Sequence, residues 1–382
     1  MEGRNITEEL NNLFEASHFS ANVTLTPLAD ATEASPIELP PVDHNCGGNV
    51  TSVFVTASNK DEYGFVGVAA SPNGKFVYGA TYSSDELVVL DVSSNSSHAS
   101  VVGSVSLGNL NGGFVAVSPS GLFAFVTLDN SDSMVVVNVQ DPTAPLVVSV
   151  LKNSTCTKRP QGVAVSSDGQ FVFVVGWDSH SLAVIDVGTD PTHPTVLGSI
   201  VGDSSNMYRA SAVTVSGDGG VVYVGGEASL TVVDVSRPTN PVVVSSVSGN
   251  STLLWGVNGL GVSKSNGLVF AAGSWSKSLT VVNVSDPLKP VLVGNVADDL
   301  FSGARGIALS SDGNFVFIGC YSTYSLAVVD VGTSSSKPVL VSSAVFDSSN
   351  MKGVFSVAAS PNGTRAYLSG ADSGNFAIVS VC

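Results

Sequence analysis

The feature that most constrains the fold of this chain is an internal repeat that runs from residue 65 to the carboxyl terminus. A short apolar run opens each copy, and the steps between successive runs are 47, 48, 50, 47, 47 and 50 residues. The seven runs begin at Gly67, Phe114, Gly162, Ala212, Gly259, Gly306 and Ser356. Repeats of this length stack on their neighbours to bury apolar surface, so the sequence predicts a repetitive architecture.

The third copy, from Arg159 to Asp203, shows what one repeat contains. Its opening run stops at the turn 166–169, where the pair Asp168-Gly169 is typical of a β-hairpin. A β-branched and aromatic run at 171–176 follows, and two further apolar runs lie at 181–187 and 195–200. The connections are too short for a crossover helix, so the four strands are predicted to form an antiparallel meander.

Seven four-stranded units predict an all-β fold, a seven-bladed β-propeller, over residues 48–382. Two motifs resemble known propeller repeats. The Ser-Asp-Gly turn followed by Phe171-Val172-Phe173-Val174 resembles the YVTN type. The run Leu230–Val235, followed by Arg237–Val242, resembles the LVIVD type, which is often found in surface and secreted proteins. The resemblance implies the propeller fold and specifies no activity.

The last repeat provides three strands, at 355–360, 365–369 and 375–381, where the others provide four. The run Asn49–Ala57 has the apolar alternation of an outermost strand and is predicted to pair with the third strand of the last blade. This pairing places Cys46 and Cys382 at the same end of a hairpin. A disulfide between them is predicted to close the ring and to contribute about 4 to 5 kcal/mol in the chain-entropy model, with two free thiols as the alternative.

Residues 1–47 lie outside the repeat and are predicted to form an amino-terminal arm. The segment Thr7–Phe14 has a capping threonine and helical spacing of apolar residues, and 21–42 is rich in proline and threonine and expected to be extended. Such an arm can pack on its own propeller or grip a neighbouring copy by strand addition. Both alternatives stay open.

Composition and sequons favour an extracellular or cell-surface location. Charged residues make up 12% of the chain, the net charge is −16, and no apolar run is long enough to span a bilayer. The residues that follow Met1 do not form the apolar core of a signal peptide. We therefore expect that a leader was removed and that the numbering starts after it; the alternative is a cytosolic protein. Predicted N-glycosylation sites are Asn5, Asn22, Asn49, Asn95, Asn153, Asn250 and Asn362. Asn283 also heads a sequon but lies within a strand.

One face of the propeller collects the residues expected to bind a ligand. Links between blades and turns between second and third strands open on the same face. The candidates there are Trp177, Trp255, Trp275, Tyr321, Arg159, Arg209 and Arg305. Guanidinium groups can hold a carboxylate bidentately, and aromatic rings can stack on sugars. The alternative is that the arginines bind loop carbonyls and the rings cover the blades.

The two remaining cysteines lie at the same end of the blades. Cys156, in the link from blade two to blade three, is the candidate for an intermolecular link. Cys320, at the end of a second strand, is expected to be free and partly buried.

Catalytic and metal signatures are not found in the sequence. It contains no nucleophile elbow, no glycine-rich phosphate loop and no histidine pair with ligand spacing, so neither an enzyme nor a cofactor is predicted. The acidic chain disfavours nucleic acid. The prediction is a structural or adhesive glycoprotein, an interaction scaffold that associates with itself or with other surface proteins and forms the repeating subunit of a filament or coat. The alternatives are a glycan-binding propeller and a propeller hydrolase or lyase.

Overall fold

The structure is a computed structural model that describes residues 37–38, 48, 50–56, 64–93, 99–108, 112–153, 155–263, 267–348 and 351–381. These residues form an all-β, seven-bladed propeller, as the repeat predicts, in which the only helices described are two single 3₁₀ turns, Asp129–Ser131 and Asp299–Phe301. Within the described part of the chain, no helix is long and apolar enough to span a membrane.

Two strands precede the repeats, β1 (Ile37–Glu38) and β2 (Val50–Thr56). Blade one contains β3 (Phe65–Ala70), β4 (Phe76–Thr81), β5 (Glu86–Asp91) and β6 (Ser100–Ser106); blade two contains β7 (Gly112–Val117), β8 (Phe123–Leu128), β9 (Ser133–Asn138) and β10 (Leu146–Lys152). Blade three contains β11 (Pro160–Val165), β12 (Phe171–Gly176), β13 (Ser181–Asp186) and β14 (Thr195–Val201); blade four contains β15 (Ala212–Val215), β16 (Val221–Gly225), β17 (Ser229–Asp234) and β18 (Val242–Ser248).

Blade five contains β19 (Val257–Val262), β20 (Leu268–Gly273), β21 (Ser278–Asn283) and β22 (Val291–Ala297); blade six contains β23 (Ala304–Leu309), β24 (Phe315–Cys320), β25 (Ser325–Asp330) and β26 (Val339–Val345). Blade seven contains β27 (Val354–Ala359), β28 (Arg365–Gly370) and β29 (Phe376–Val381). In blades one to six, each sheet is an antiparallel meander in which neighbouring strands follow one another along the chain.

The fourth strand of blade seven comes from the part of the chain that precedes blade one. Strand β2 pairs antiparallel with β29, with Val53 opposite Val379 and Phe54 opposite Ile378. The buried residue Val50 begins β2, and its N–H donates to Ser342 Oγ of blade six at 3.1 Å. Strand β1 adds to the outer edge of β2, so this sheet has five strands.

Over the described ranges, the core consists of seven hydrophobic clusters, and each lies between two neighbouring blades. The cluster between blades seven and one contains Tyr367, Phe376 and Ile378 on one side and Val77 and Leu90 on the other. Second and third strands are buried on both faces, which explains their continuous apolar runs. Burying each large apolar side chain contributes about 1.5 to 3 kcal/mol, so packing between blades holds the ring together.

Hydrogen bonds from short side chains close the turns between first and second strands. In blade three, Ser166 Oγ donates to Asp168 Oδ1 at 2.5 Å and accepts from the N–H of Phe171 at 2.9 Å. Gly169 has a φ of +74°, a left-handed conformation that favours glycine. The predicted Asp-Gly hairpin is therefore confirmed.

Several sequence predictions lie outside the described residues. They are the helix Thr7–Phe14, the disulfide between Cys46 and Cys382, and the sequons at Asn5, Asn22, Asn49 and Asn95. The division into an arm at 1–47 and a propeller at 48–382 stays a prediction.

Candidate functional site

The upper face of the propeller is the end at which first strands begin and second strands end. In blade three, Pro160 at the start of β11 lies opposite Gly176 at the end of β12. The link entering a blade and the turn after its second strand therefore share this face. All seven candidate ligand residues lie in these links and turns or at the start of a first strand.

One residue from each blade forms a ring at the mouth of the central channel. The members of this mouth ring are Val66, Gly113, Gln161, Ser211, Asn258, Arg305 and Phe355, and all of them line a cavity on the upper face. In six blades the pairing of first and second strand shifts register at this point. Such a β-bulge leaves a residue unpaired and re-aims its side chain, which explains how strand residues come to face the channel.

The mouth ring has an apolar side and a polar side. Blades seven, one and two contribute Phe355, Val66 and Gly113, and the neighbouring Phe114 also lines the cavity. The rings of Phe114 and Phe355 lie 5.7 Å apart. Blades three to six contribute the polar residues, from Gln161 to Arg305. Two adjoining cavities here have volumes of about 190 Å³ and 350 Å³, and the second reaches the size of a small-molecule site.

Arg305 is the one charged member of the mouth ring. Its guanidinium lies 4.4 Å from the ring centroid of Phe355 and 5.9 Å from that of Tyr321. Among the described residues it has neither a carboxylate within ion-pair distance nor a hydrogen-bond acceptor. Burial lowers the pKa of Arg305, yet the guanidinium stays protonated because its ordinary pKa is so high. A positive charge without a partner therefore faces the cavity.

The other two candidate arginines are compensated by carboxylates. Arg159 Nε lies 3.2 Å from Asp129 Oδ1, and this hydrogen bond raises the pKa of Arg159. Arg209 Nη1 lies 2.9 Å from Glu227 Oε2. The guanidinium of Arg209 also lies 5.7 Å from the ring centroid of Trp177. Both arginines therefore form ion pairs with carboxylates of the upper face itself.

Two tryptophans form an exposed pair at the rim of blade five. Trp255 and Trp275 are 39% and 51% exposed, and their rings meet edge to face at 6.5 Å. The backbone N–H of Trp275 donates to the carbonyl oxygen of Trp255 at 3.1 Å, which fixes the two turns against each other. The tryptophan pair thus presents apolar surface away from the channel mouth, whereas Trp177 and Tyr321 line the cavities.

The two described cysteines are buried free thiols. Cys156 packs in the cluster between blades two and three, and burial raises its pKa. A buried sulfur disfavours the intermolecular link, which stays a prediction. Cys320 is fully buried rather than partly buried, because it lies inside the cluster between blades five and six.

The described residues among the predicted glycosylation sites lie outside the strands, whereas Asn283 ends β21. Asn250 and Asn362 are exposed, and Asn153 is partly buried, with its Oδ1 accepting from the backbone N–H of Thr155. Within the described residues, no group of three or more His, Cys, Asp or Glu side chains could hold a metal ion.

Of the mouth ring, Arg305 was predicted from the sequence as a site residue and the other six members were not. Each ring residue directly precedes one of the seven repeat starts, so the signal was present at the same spacing. Phe114 was a second signal, since the other blades carry glycine, alanine or serine at its position. An alignment of the seven repeats shows both the ring positions and the unusual phenylalanine at 114.

Known repeat families match the chain in several places. The LVIVD repeat matches residues 160–201, 209–249 and 271–298. The chain is a seven-bladed β-propeller in which blades three to five resemble LVIVD repeats. The family described as lactonase, 7-bladed beta-propeller, matches residues 48–150, which cover β2 and blades one and two. No curated protein matches the sequence.

Solved structures share the propeller fold at low sequence identity. Hydrazine synthase of Kuenenia stuttgartiensis is 19% identical with a TM-score of 0.68, over 85% of this chain and 97% of that one. The Cps50 (Swd1) β-propeller domain of Myceliophteria thermophila is 14% identical with a TM-score of 0.65, over 88% and 100% of the two chains. A chain of a mitotic checkpoint complex is 17% identical with a TM-score of 0.67, over 94% and 98%. Proteins this different in role share the fold alone, which does not imply a function.

Proposed function

We propose that this propeller is an extracellular interaction scaffold, a non-enzymatic glycoprotein that associates with further copies of itself through its upper face. The observation that carries the proposal is the exposed tryptophan pair, Trp255 and Trp275. Tryptophan and arginine are enriched at the centres of protein interfaces, where a large rigid ring fills a pocket of the partner. Arg209, braced by Glu227, belongs to the same face.

The proposal includes the amino-terminal arm and the extracellular location. An arm at 1–47 that adds a strand to a neighbouring propeller would convert pairwise contacts into a filament or coat. Within the single chain, Ile37–Glu38 adds a strand to the outer edge of its own β2, and the filament requires the same addition on a neighbouring copy. The sequons and the low charge content favour a secreted glycoprotein.

The tryptophan pair is tested by replacing both rings and measuring self-association. We expect the double variant Trp255→Ala/Trp275→Ala to shift sedimentation toward the monomer and to weaken self-association by about tenfold or more, the loss of one hot spot. Leu288→Ala is the matched control, since Leu288 is 66% exposed and lies in the connection between β21 and β22, at the opposite end of the blade. Self-association that is unchanged in the double variant, or equally weakened in the control, refutes the proposal.

Glycan binding is the second candidate function. Trp275 presents its exposed ring in the same turn as the exposed Lys277, whose Nζ lies 2.8 Å from Asp299 Oδ1. Aromatic rings next to hydrogen-bonding groups suit sugar stacking. A glycan array separates the two functions: sugar binding that the double variant abolishes, in a protein that sediments as a monomer, favours the lectin.

The match to a lactonase family supports the hydrolase alternative, because part of the chain resembles propellers with that name. Turnover of simple lactones by the purified protein, lost in Arg305→Met, would favour an enzyme over the scaffold.

A further inference from the structure

Arg305 lies where the polar side and the apolar side of the mouth ring are in contact. Its guanidinium lies against the face of Phe355 at 4.4 Å, and Phe355 in turn lies 5.7 Å from Phe114. A ligand that reaches the guanidinium must therefore also lie close to this apolar wall. The cavity of about 350 Å³ that contains all three side chains has room for a small molecule.

Of two carboxylates at the mouth, one pairs with another arginine and one accepts a hydrogen bond from a tyrosine, so neither forms an ion pair with Arg305. Asp129 pairs with Arg159 at 3.2 Å. The hydroxyl of Tyr321 donates to the carboxylate of Asp372, and its oxygen lies 3.0 Å from each of Oδ1 and Oδ2. Among the described residues Arg305 has no such partner, and an arginine presents a planar fork of N–H donors that matches a carboxylate.

The polar side of the mouth ring also contains neutral hydrogen-bond donors, the side-chain amides of Asn258 and Gln161. Asn258 uses Nδ2 to donate to Ser274 Oγ, and an amide nitrogen carries a second N–H. The side-chain amide of Gln161 has no hydrogen-bond partner among the described residues and lines both cavities. These amides can bind an anion without adding charge, and Gln161 lines the same cavity as the phenyl rings.

From this arrangement we propose that the channel mouth binds a small organic acid that has one carboxylate and an apolar, preferably planar, body. The carboxylate pairs with Arg305, and the apolar body lies against Phe114 and Phe355. The site is separate from the tryptophan pair, so the inference does not depend on the proposed function.

The test is calorimetric titration of the full-length protein with benzoate, phenylacetate and hexanoate. We expect saturable binding of at least one acid with a Kd of about 1 mM or tighter. Benzamide keeps the ring without the charge, and glucuronate keeps the charge on a polar body. Both are expected to bind at least about tenfold more weakly than the best acid.

Arg305→Met removes the charge and is expected to weaken the best acid by about 10-fold to 100-fold. Arg237→Met is the matched control, because Arg237 is exposed in the connection after β17, on the opposite face, and its loss changes the net charge equally. Phe114→Ala is expected to weaken the apolar acids while leaving Arg305 in place. Arg305→Lys, which keeps the charge without the fork, serves if the methionine variant fails to fold.

Three results would overturn the inference. The first is no saturable binding of any of the three acids at about 10 mM, well above the expected Kd. The second is equal affinity for benzoate and benzamide. The third is equal weakening by Arg305→Met and Arg237→Met, which would indicate a general effect of net charge.

Discussion

Burial shifts the ionisation of Arg305 and Cys320 in blade six by the same mechanism and in opposite directions. Removal from water penalises the charged form, so burial lowers the pKa of the guanidinium and raises the pKa of the thiol, to about 12 for Cys320. The arginine nevertheless keeps its charge, whereas the thiol stays neutral. At the scale of single residues, burial makes Arg305 a cation held against aromatic rings and Cys320 an inert apolar side chain.

The inertness of Cys320 can be measured with a thiol reagent. With a pKa of about 12, only about one thiol in ten thousand is ionised at pH 8, and the thiolate is the reactive form. We expect iodoacetamide to label Cys320 only after unfolding, as read by mass spectrometry of the peptide. The same cysteine in guanidinium is the control, and equal rates in the two conditions would show that it is accessible in the native protein.

The first strands of neighbouring blades approach closely at the centre of the ring, and this sets which side chains they tolerate. A Cβ on Gly306 would lie 2.5 Å from the backbone nitrogen of Val357 in the next blade. Gly67 and Gly162 are in the same situation, with the backbone of the next blade at 2.5 Å and 3.0 Å. At the scale of the strand, the repeated glycine is therefore a packing requirement at the blade contact.

This requirement predicts a position-specific cost for alanine. Gly306→Ala should destabilise the propeller by about 1 to 3 kcal/mol, because the added methyl overpacks a contact made by backbone. Gly220→Ala is the control, since a Cβ there meets only side-chain atoms of Asp218 at 3.7 Å and beyond. We expect the control to stay within about 1 kcal/mol of wild type. Urea unfolding measures both, and equal midpoints for the two variants would contradict the packing argument.

Closure of the ring depends on the sheet of blade seven, which combines β2 with the last three strands of the chain. Strand β2 covers the edge of β29, and the cluster between blades six and seven includes Val50. Without β2, the last blade would present an unpaired edge and lose apolar cover. At the scale of the molecule, ring closure therefore joins residues that are more than three hundred positions apart in sequence.

Two truncated chains separate the roles of β2 and the arm. A chain that begins at Asn45 keeps β2 and should unfold within a few degrees of the full chain, about 1 kcal/mol or less in stability. A chain that begins at Gly64 lacks β2 and should lose more than about 3 kcal/mol from lost strand pairing and burial. Thermal unfolding measures both.

The result with the Gly64 chain decides the first role: stability equal to that of the full chain would show that β2 does not close the ring. Sedimentation of the Asn45 chain decides the second. A folded monomer, compared with a self-associating full chain, would support assembly through the arm.

The sequence by itself determined the elements and their number. Alternating and continuous apolar runs, Asp-Gly turns and a fixed repeat length are local signals, and they predicted seven four-stranded blades. The third-strand motif and the turn at Asp168-Gly169 were predicted for the same reason, since the residues that determine them are neighbours in the chain. Local signals also placed Arg305 near the start of a first strand.

Only the tertiary structure decided which side chains meet at the mouth. Gln161, Asn258 and Phe355 come from different blades, and the shift in register at the start of each first strand turns them toward the channel. The structure also separated the paired arginines from the unpaired one, because Asp129 and Glu227 reach Arg159 and Arg209 while no described carboxylate reaches Arg305. These contacts depend on how the blades are arranged around the axis, which no local pattern encodes.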